Sequence, residues 1–113
     1  MAQGEVERIS MARIDIPLPA IEAFCRKWRV AELDLFGSVL REDFGPDSDV
    51  DLLVSFLPEA RLSLLDQVRM ERELSGILGR RVDLLSKRGL ESSTNWIRRD
   101  AILASAEAIY VAG

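Results

Sequence analysis

The spacing of apolar residues changes several times along the chain, and each change marks an element. From Pro17 to Trp28, Ile21, Phe24, Cys25 and Trp28 fall at i, i+3, i+4 and i+7, which puts them on one helical face. Leu33 and Leu35 then alternate with Asp34 and Phe36, predicting a short strand that stops at Gly37, a residue able to take the positive φ of a sharp turn. Gly45-Pro46-Asp47 is a loop signal. The period of two returns from Asp49 to Phe56, with Val50, Leu52, Val54 and Phe56 on one face and Asp49, Asp51, Leu53 and Ser55 on the other.

Beyond Pro58, Ser63 and Asp66 have the spacing of a capping box, opening a helix that runs to Gly79 with Leu64, Leu65, Val68, Leu74, Ile77 and Leu78 as its buried side. A short strand from Val82 to Leu85 turns Asp83 away from Val82 and Leu84. A last helix is expected after Ser92-Ser93-Thr94, reaching about Tyr110, with Ile97, Ala101, Ala104 and Ala108 at helical spacing and its body covering the sheet. Met1 to Ser10 is polar and without pattern. The expected organisation is a flexible N-terminus over 1–15 and one domain over 16–113. The order helix, strand, strand, helix, strand, helix predicts an α+β fold: a small mixed β-sheet with helices packed on one face and the other face open for chemistry.

Composition narrows the chemistry. With 113 residues, 48% of them hydrophobic and 30% charged, the chain has material for one core. One cysteine and no histidine leave no thiolate or imidazole set for zinc, so a metal would be held by oxygen. No stretch approaches the roughly 20 apolar residues of a membrane span, which points to a soluble, cytoplasmic protein. A net charge of −4 opposes the broad basic surface that nucleic-acid binding uses.

The carboxylates near Asp49 ask for an explanation. Two aspartates at i and i+2 on a strand project to the same side, and at about 4 Å with an effective dielectric near 20 two such charges repel by about 4 kcal/mol. A bare pair therefore raises one pKa or recruits a cation, and Asp83 on a neighbouring strand strengthens the second outcome. Oxygen ligands select Mg²⁺ or Mn²⁺, and Mg²⁺ commonly fills its shell with water and substrate phosphate. The Gly37-Ser38 turn offers backbone N–H groups and a hydroxyl to an anion. Taken singly, a Gly-Ser pair is usually a turn and an Asp-x-Asp a solvated face; it is their combination that indicates a nucleotide site. Arg41, just beyond the turn, suits phosphate contact or loop bracing equally. Trp28 and Trp96 read as packing residues and Cys25 as core. Arg80-Arg81, Lys87-Arg88 and Arg98-Arg99 read first as solvated charges, with binding of a partner or a triphosphate as the lesser alternative.

Gly37-Ser38, ten residues, then Asp49-Val50-Asp51-Leu52-Leu53-Val54 resembles the nucleotidyltransferase signature, and most closely the small prokaryotic minimal nucleotidyltransferase (MNT) family. Arg41, Pro46-Asp47-Ser48, the third acid in Arg81-Val82-Asp83-Leu84-Leu85 and the stretch from Ile97 to Tyr110 look like that family too. The resemblance implies a nucleotidyltransferase-like fold. It implies that Asp49, Asp51 and Asp83 act as metal ligands and catalytic acids, and that Gly37, Ser38, Arg41 and Ser48 serve the nucleotide phosphates. It further implies NMP transfer, with AMP from ATP as the leading case and Mg²⁺ or Mn²⁺ as cofactor. Many relatives are antitoxins that modify a HEPN-type toxin, so a HEPN-type toxin protein is the expected partner. Val39 and Glu42 stand where many relatives have a basic residue and a glycine, which bears on phosphate affinity and nucleotide choice. Two other functions stay open: a non-catalytic antitoxin binding module, and a small-molecule nucleotidyltransferase acting as a homodimer.

Overall fold

A computed structural model describes residues 8–11, 14–40, 45 and 48–112, without the side chains of 8–11, 14, 15, 38 and 39. The elements run β1 (Arg8–Met11), β2 (Ile14–Pro17), α1 (Leu18–Lys27), β3 (Val30–Phe36), a 3₁₀ turn (Gly37–Leu40), β4 (Val50–Phe56), α2 (Leu64–Leu78), β5 (Val82–Ser86), α3 (Lys87–Glu91), α4 (Trp96–Ser105) and β6 (Glu107–Val111). Four strands form one sheet in the order β5-β4-β3-β6. β3 is antiparallel to both β4 and β6, and β4 is parallel to β5, with α2 as the crossover between them. The fold is thus α+β with a mixed sheet, as the sequence pattern implies.

The alternation in β4 fixes which face is dry. Val50, Leu52 and Val54 are fully buried against Ile21, Phe24 and Cys25 of α1 and Met70 and Leu74 of α2, joined by Leu33 and Leu35 of β3 and Val82 and Leu84 of β5. Burying a side chain of this size contributes about 1.5–3 kcal/mol, so a one-residue slip of β4, which would point three such residues at solvent, is strongly disfavoured. Asp51 and Asp83 consequently face the other way.

α2 begins as expected. Ser63 accepts a hydrogen bond from the Asp66 N–H at 3.2 Å while Asp66 accepts one from the Ser63 N–H at 3.0 Å, and Gly79 closes the helix at φ 68°. Its expected buried side is only partly right. Met70 and Leu74 face the core with Ile77 and Leu78 beside them, whereas Leu64, Leu65 and Val68 are exposed. Successive residues turn by about 100° around a helix, which puts those three on a different arc from Met70 and Leu74.

The C-terminal helix expected to reach Tyr110 ends at Ser105 instead, and Glu107–Val111 is a strand. Ile109-Tyr110-Val111 is β-branched and aromatic, and Ile109 is buried in the sheet's core while β6 pairs along β3. The Ser105 hydroxyl donates back to the Ala101 and Ile102 carbonyls at 2.9 and 3.3 Å, in the last turn before the chain extends at Ala106. α4 also lies on the acid-bearing side of the sheet, where Ile102 and, from α3, Leu90 pack on Phe36 and Leu53. That face is therefore partly roofed rather than wholly open, and Ile97, Ala101, Ala104 and Trp96 of α4 are exposed. Trp28, by contrast, packs against the core with its ring centroid 6.5 Å from that of Phe24. At the N-terminal end, β1 pairs antiparallel with β2 where no element was expected; residues 1–7 lie outside the described residues.

Candidate active site

Sheet register assembles the acids. Asp51 is the register partner of Asp83 on one side and of Phe36 on the other, so two carboxylates from parallel neighbouring strands sit side by side on one face. Phe36 leads directly into Gly37, whose φ of 77° lies in the left-handed region that an L side chain rarely adopts. A Cβ at Gly37 would collide with Oδ2 of Asp51, so the turn backbone lies against that carboxylate. The glycine is needed twice, for the bend and for the approach.

Asp49 lies just ahead of β4 and is exposed, as is Asp83. Its Oδ1 is 3.2 Å from Nε of Arg81, and the backbone N–H of Val50 donates to the Arg81 carbonyl at 2.8 Å. Arg80 braces the same segment, donating from Nη2 to the carbonyls of Gly45 and Ser48. The Ser48 hydroxyl accepts from the Gly45 N–H at 3.1 Å, inside the turn that leads into β4. Ser38 belongs by backbone to the 3₁₀ turn, its side chain being outside the description, and Arg41, Pro46 and Asp47 lie outside the described residues. The bracing role of Arg80 was missed in the sequence, where Arg80-Arg81 looks like any solvated basic pair.

A cleft of about 350 Å³ opens over this region, lined by Phe36, Gly37, Asp51, Arg98, Ala101, Ile102 and Ser105. One wall is thus the β3 end with its turn, and the opposite wall is α4. Among the described residues no three carboxylate, thiol or imidazole groups are gathered into a ready metal cage. Mg²⁺ does not require one, since it is commonly held by one or two carboxylates and completed by water and phosphate. The all-oxygen donor set of Asp51 and Asp83 fits that cation, while Asp49 is paired with Arg81.

A second acid pair shares the face, farther along β3. Asp34 points to the same side as Phe36; its Oδ1 is buried and has no hydrogen-bond partner among the described residues. Burial pushes its carboxyl up to about 7, assisted by a hydrogen bond and like charge from Glu32 and opposed by Lys87. Beyond the far end of β4 is a separate cavity of about 600 Å³, between Phe56, Leu57, Leu62 and Leu64 on one side and Lys87 and Arg88 on the other.

The fold and the cleft lined by Asp51 define a class. The sequence model described as "Nucleotidyltransferase domain" matches residues 20–109, and the chain belongs to that family. Among curated proteins it is 44% identical over 66 residues to the protein adenylyltransferase MntA of Thermococcus cleftensis, an alignment covering 58% of this chain and 65% of that protein, just under two thirds of its length. A solved structure assigned as a minimal nucleotidyltransferase superposes with a TM-score of 0.61 at 36% identity, covering 80% of this chain and 86% of the other. The fold is also that of a toxin-antitoxin crystal structure with AMP-PNP, at TM-score 0.64 and 18% identity over 86% of this chain and 75% of that one. A Shewanella oneidensis complex, described as a tri-AMPylated HEPN toxin with MNT antitoxin, matches at TM-score 0.56 and 18% identity, covering 84% and 70%. No helix among the described residues is long and apolar enough to cross a membrane.

Proposed function

We propose that this protein is an antitoxin that transfers AMP from ATP to a hydroxyl of a HEPN-type toxin. The observation that carries the reading is the register pairing of Asp51 with Asp83, with Asp51 lying against the Gly37 turn and lining a cleft open to solvent. The similarity to a protein adenylyltransferase supports AMP as the transferred group, and the HEPN toxin in the Shewanella complex supports the partner class.

In this reading Asp49, Asp51 and Asp83 hold Mg²⁺ or Mn²⁺, which when bound neutralises phosphate charge and favours ionisation of the acceptor hydroxyl. Gly37 and Ser38 bring backbone N–H groups to the triphosphate, with Arg41 and Ser48 on the same task. The acceptor oxygen bonds to the α-phosphorus as the α–β bridging bond breaks, pyrophosphate leaves, and the hydroxyl proton passes to the carboxylate of Asp83. The cytoplasmic location read from the sequence and a nucleotidyltransferase domain over 16–113 belong to the same proposal.

The test is to incubate the chain with a HEPN-type toxin, ATP and Mg²⁺ and weigh the toxin by intact-mass spectrometry. An added AMP that disappears in the Asp49→Asn, Asp51→Asn double variant is the expected result. A stable complex without any mass change would instead make the protein a binding module that neutralises its toxin by contact.

A further inference from the structure

The geometry points to Arg98 as the cation that grips the phosphate tail of the nucleotide from the α4 side of the cleft. This rests on the nucleotide reading above and adds to it a residue outside the Gly-Ser and Asp-x-Asp segments. Arg98, Ala101 and Ser105 stand at i, i+3 and i+7 on α4, one face of the helix, and all three line the cleft opposite Gly37 and Asp51. Ala101 offers no polar group, and the Ser105 hydroxyl already donates to the carbonyls of Ala101 and Ile102. Arg98 is the cationic side chain of this lining.

The surrounding arginines are engaged elsewhere. Arg81 holds Asp49, Arg80 holds the Gly45 and Ser48 carbonyls, and Arg99 holds Asp100 at 3.3 Å. No hydrogen bond or ion pair engages the Arg98 guanidinium among the described residues, although its backbone N–H is fixed by the Asn95 cap at 3.1 Å. Its position also makes poor sense as a stabilising surface charge. A cation in the first turn of a helix opposes the helix dipole, which favours anions there. A guanidinium does suit a phosphate, because its planar fork donates two parallel hydrogen bonds to phosphate oxygens. With Asp51 in the lining of the cleft and Asp83 beside it in register, a polyanionic ligand needs opposing positive charge from a wall, and α4 supplies it.

Calorimetric titration at fixed Mg²⁺ separates the possibilities, using wild type, Arg98→Ala and Arg98→Lys with ATP and with AMP as titrants. The expected result is a loss of ATP affinity of roughly tenfold or more in Arg98→Ala, a smaller loss in Arg98→Lys, which keeps the charge without the fork, and AMP affinity within about twofold of wild type. Thermal melts of both variants check that the fold is intact, and Arg98→Lys carries the test if Arg98→Ala melts early. Equal ATP binding by wild type and both variants would overturn the assignment while leaving the nucleotide site standing. Equal losses for ATP and AMP would overturn the phosphate-tail role as well. A wild type that binds no ATP with Mg²⁺ would remove the nucleotide reading itself, and this inference with it.

Discussion

Gly37 is the residue on which the site's geometry depends most directly. Replacing it with alanine forces an L side chain into φ 77° and drives a methyl into Asp51 Oδ2. The backbone term alone is about 1–2 kcal/mol, and relieving the clash must move either the turn or the carboxylate. Gly37→Ala is expected to lower thermal stability modestly and Mg-dependent nucleotide binding severely; a variant that binds MgATP like wild type would show that the close approach is dispensable. Asp34 makes a different prediction. Its carboxyl is held near 7, above its ordinary value of 3.8, so its contribution is fully favourable below the unfolded pKa and is lost as pH rises toward 7 and beyond. Asp34→Asn keeps a hydrogen-bonding group beside Glu32 and removes the titration. Discounted for partial solvent access, the gain at pH 8 is on the order of 1 kcal/mol, with little gain at pH 4; melts at the two pH values check it. Cys25 is inert by the same physics, its thiol pushed up to about 12 by burial and then by Glu22.

At the scale of elements, α1 and α2 are tied by a single carboxylate. Glu73 Oε1 accepts from Nε1 of Trp28 and from Nζ of Lys27, each at 3.0 Å. Burial pushes the Glu73 carboxyl up, but the Trp28 bond and then Lys27 outweigh it, and the net shift is downward. Stability from this tie is therefore present above the unfolded pKa and fades as pH falls through the folded one, the opposite slope to Asp34. Glu73→Ala should cost about 1 kcal/mol at neutral pH by leaving the half-buried indole N–H without its acceptor, and a chemical-denaturation midpoint measures it. The elements also show where sequence reading succeeds. β4 was legible because strict alternation separates Val50, Leu52 and Val54 from Asp51, and α2 because Ser63, Asp66 and Gly79 mark both ends. β6 was not, because alanines at helical spacing run on to Ala108 with no glycine or proline at the break. Leu64, Leu65 and Val68 misled for another reason: a helical period shows that a stripe exists, while only tertiary packing decides which stripe meets the sheet.

For the whole molecule, the arrangement of faces governs how the site can be reached. The acids Asp51 and Asp83 were readable as chemistry from their phase, whereas Arg98 read only as one of several basic residues for which triphosphate binding was the lesser alternative, since nothing local says that α4 folds over the acid face. The opposite face of the sheet is filled by α1 and α2, so among the described residues the cleft beneath α4 is reached from the acid-bearing face. On the proposed reaction, nucleotide entry, acceptor docking and pyrophosphate departure then share that face as their doorway. A protein acceptor seated over it would act as a stopper, which makes the sequence of arrivals a kinetic constraint. ATP should load first, and pre-saturating the protein with toxin before adding ATP should slow the first turnover relative to the reverse order of mixing. Rapid-quench measurement of AMP transfer distinguishes the two orders, and identical rates would mean that the docked partner leaves the doorway clear.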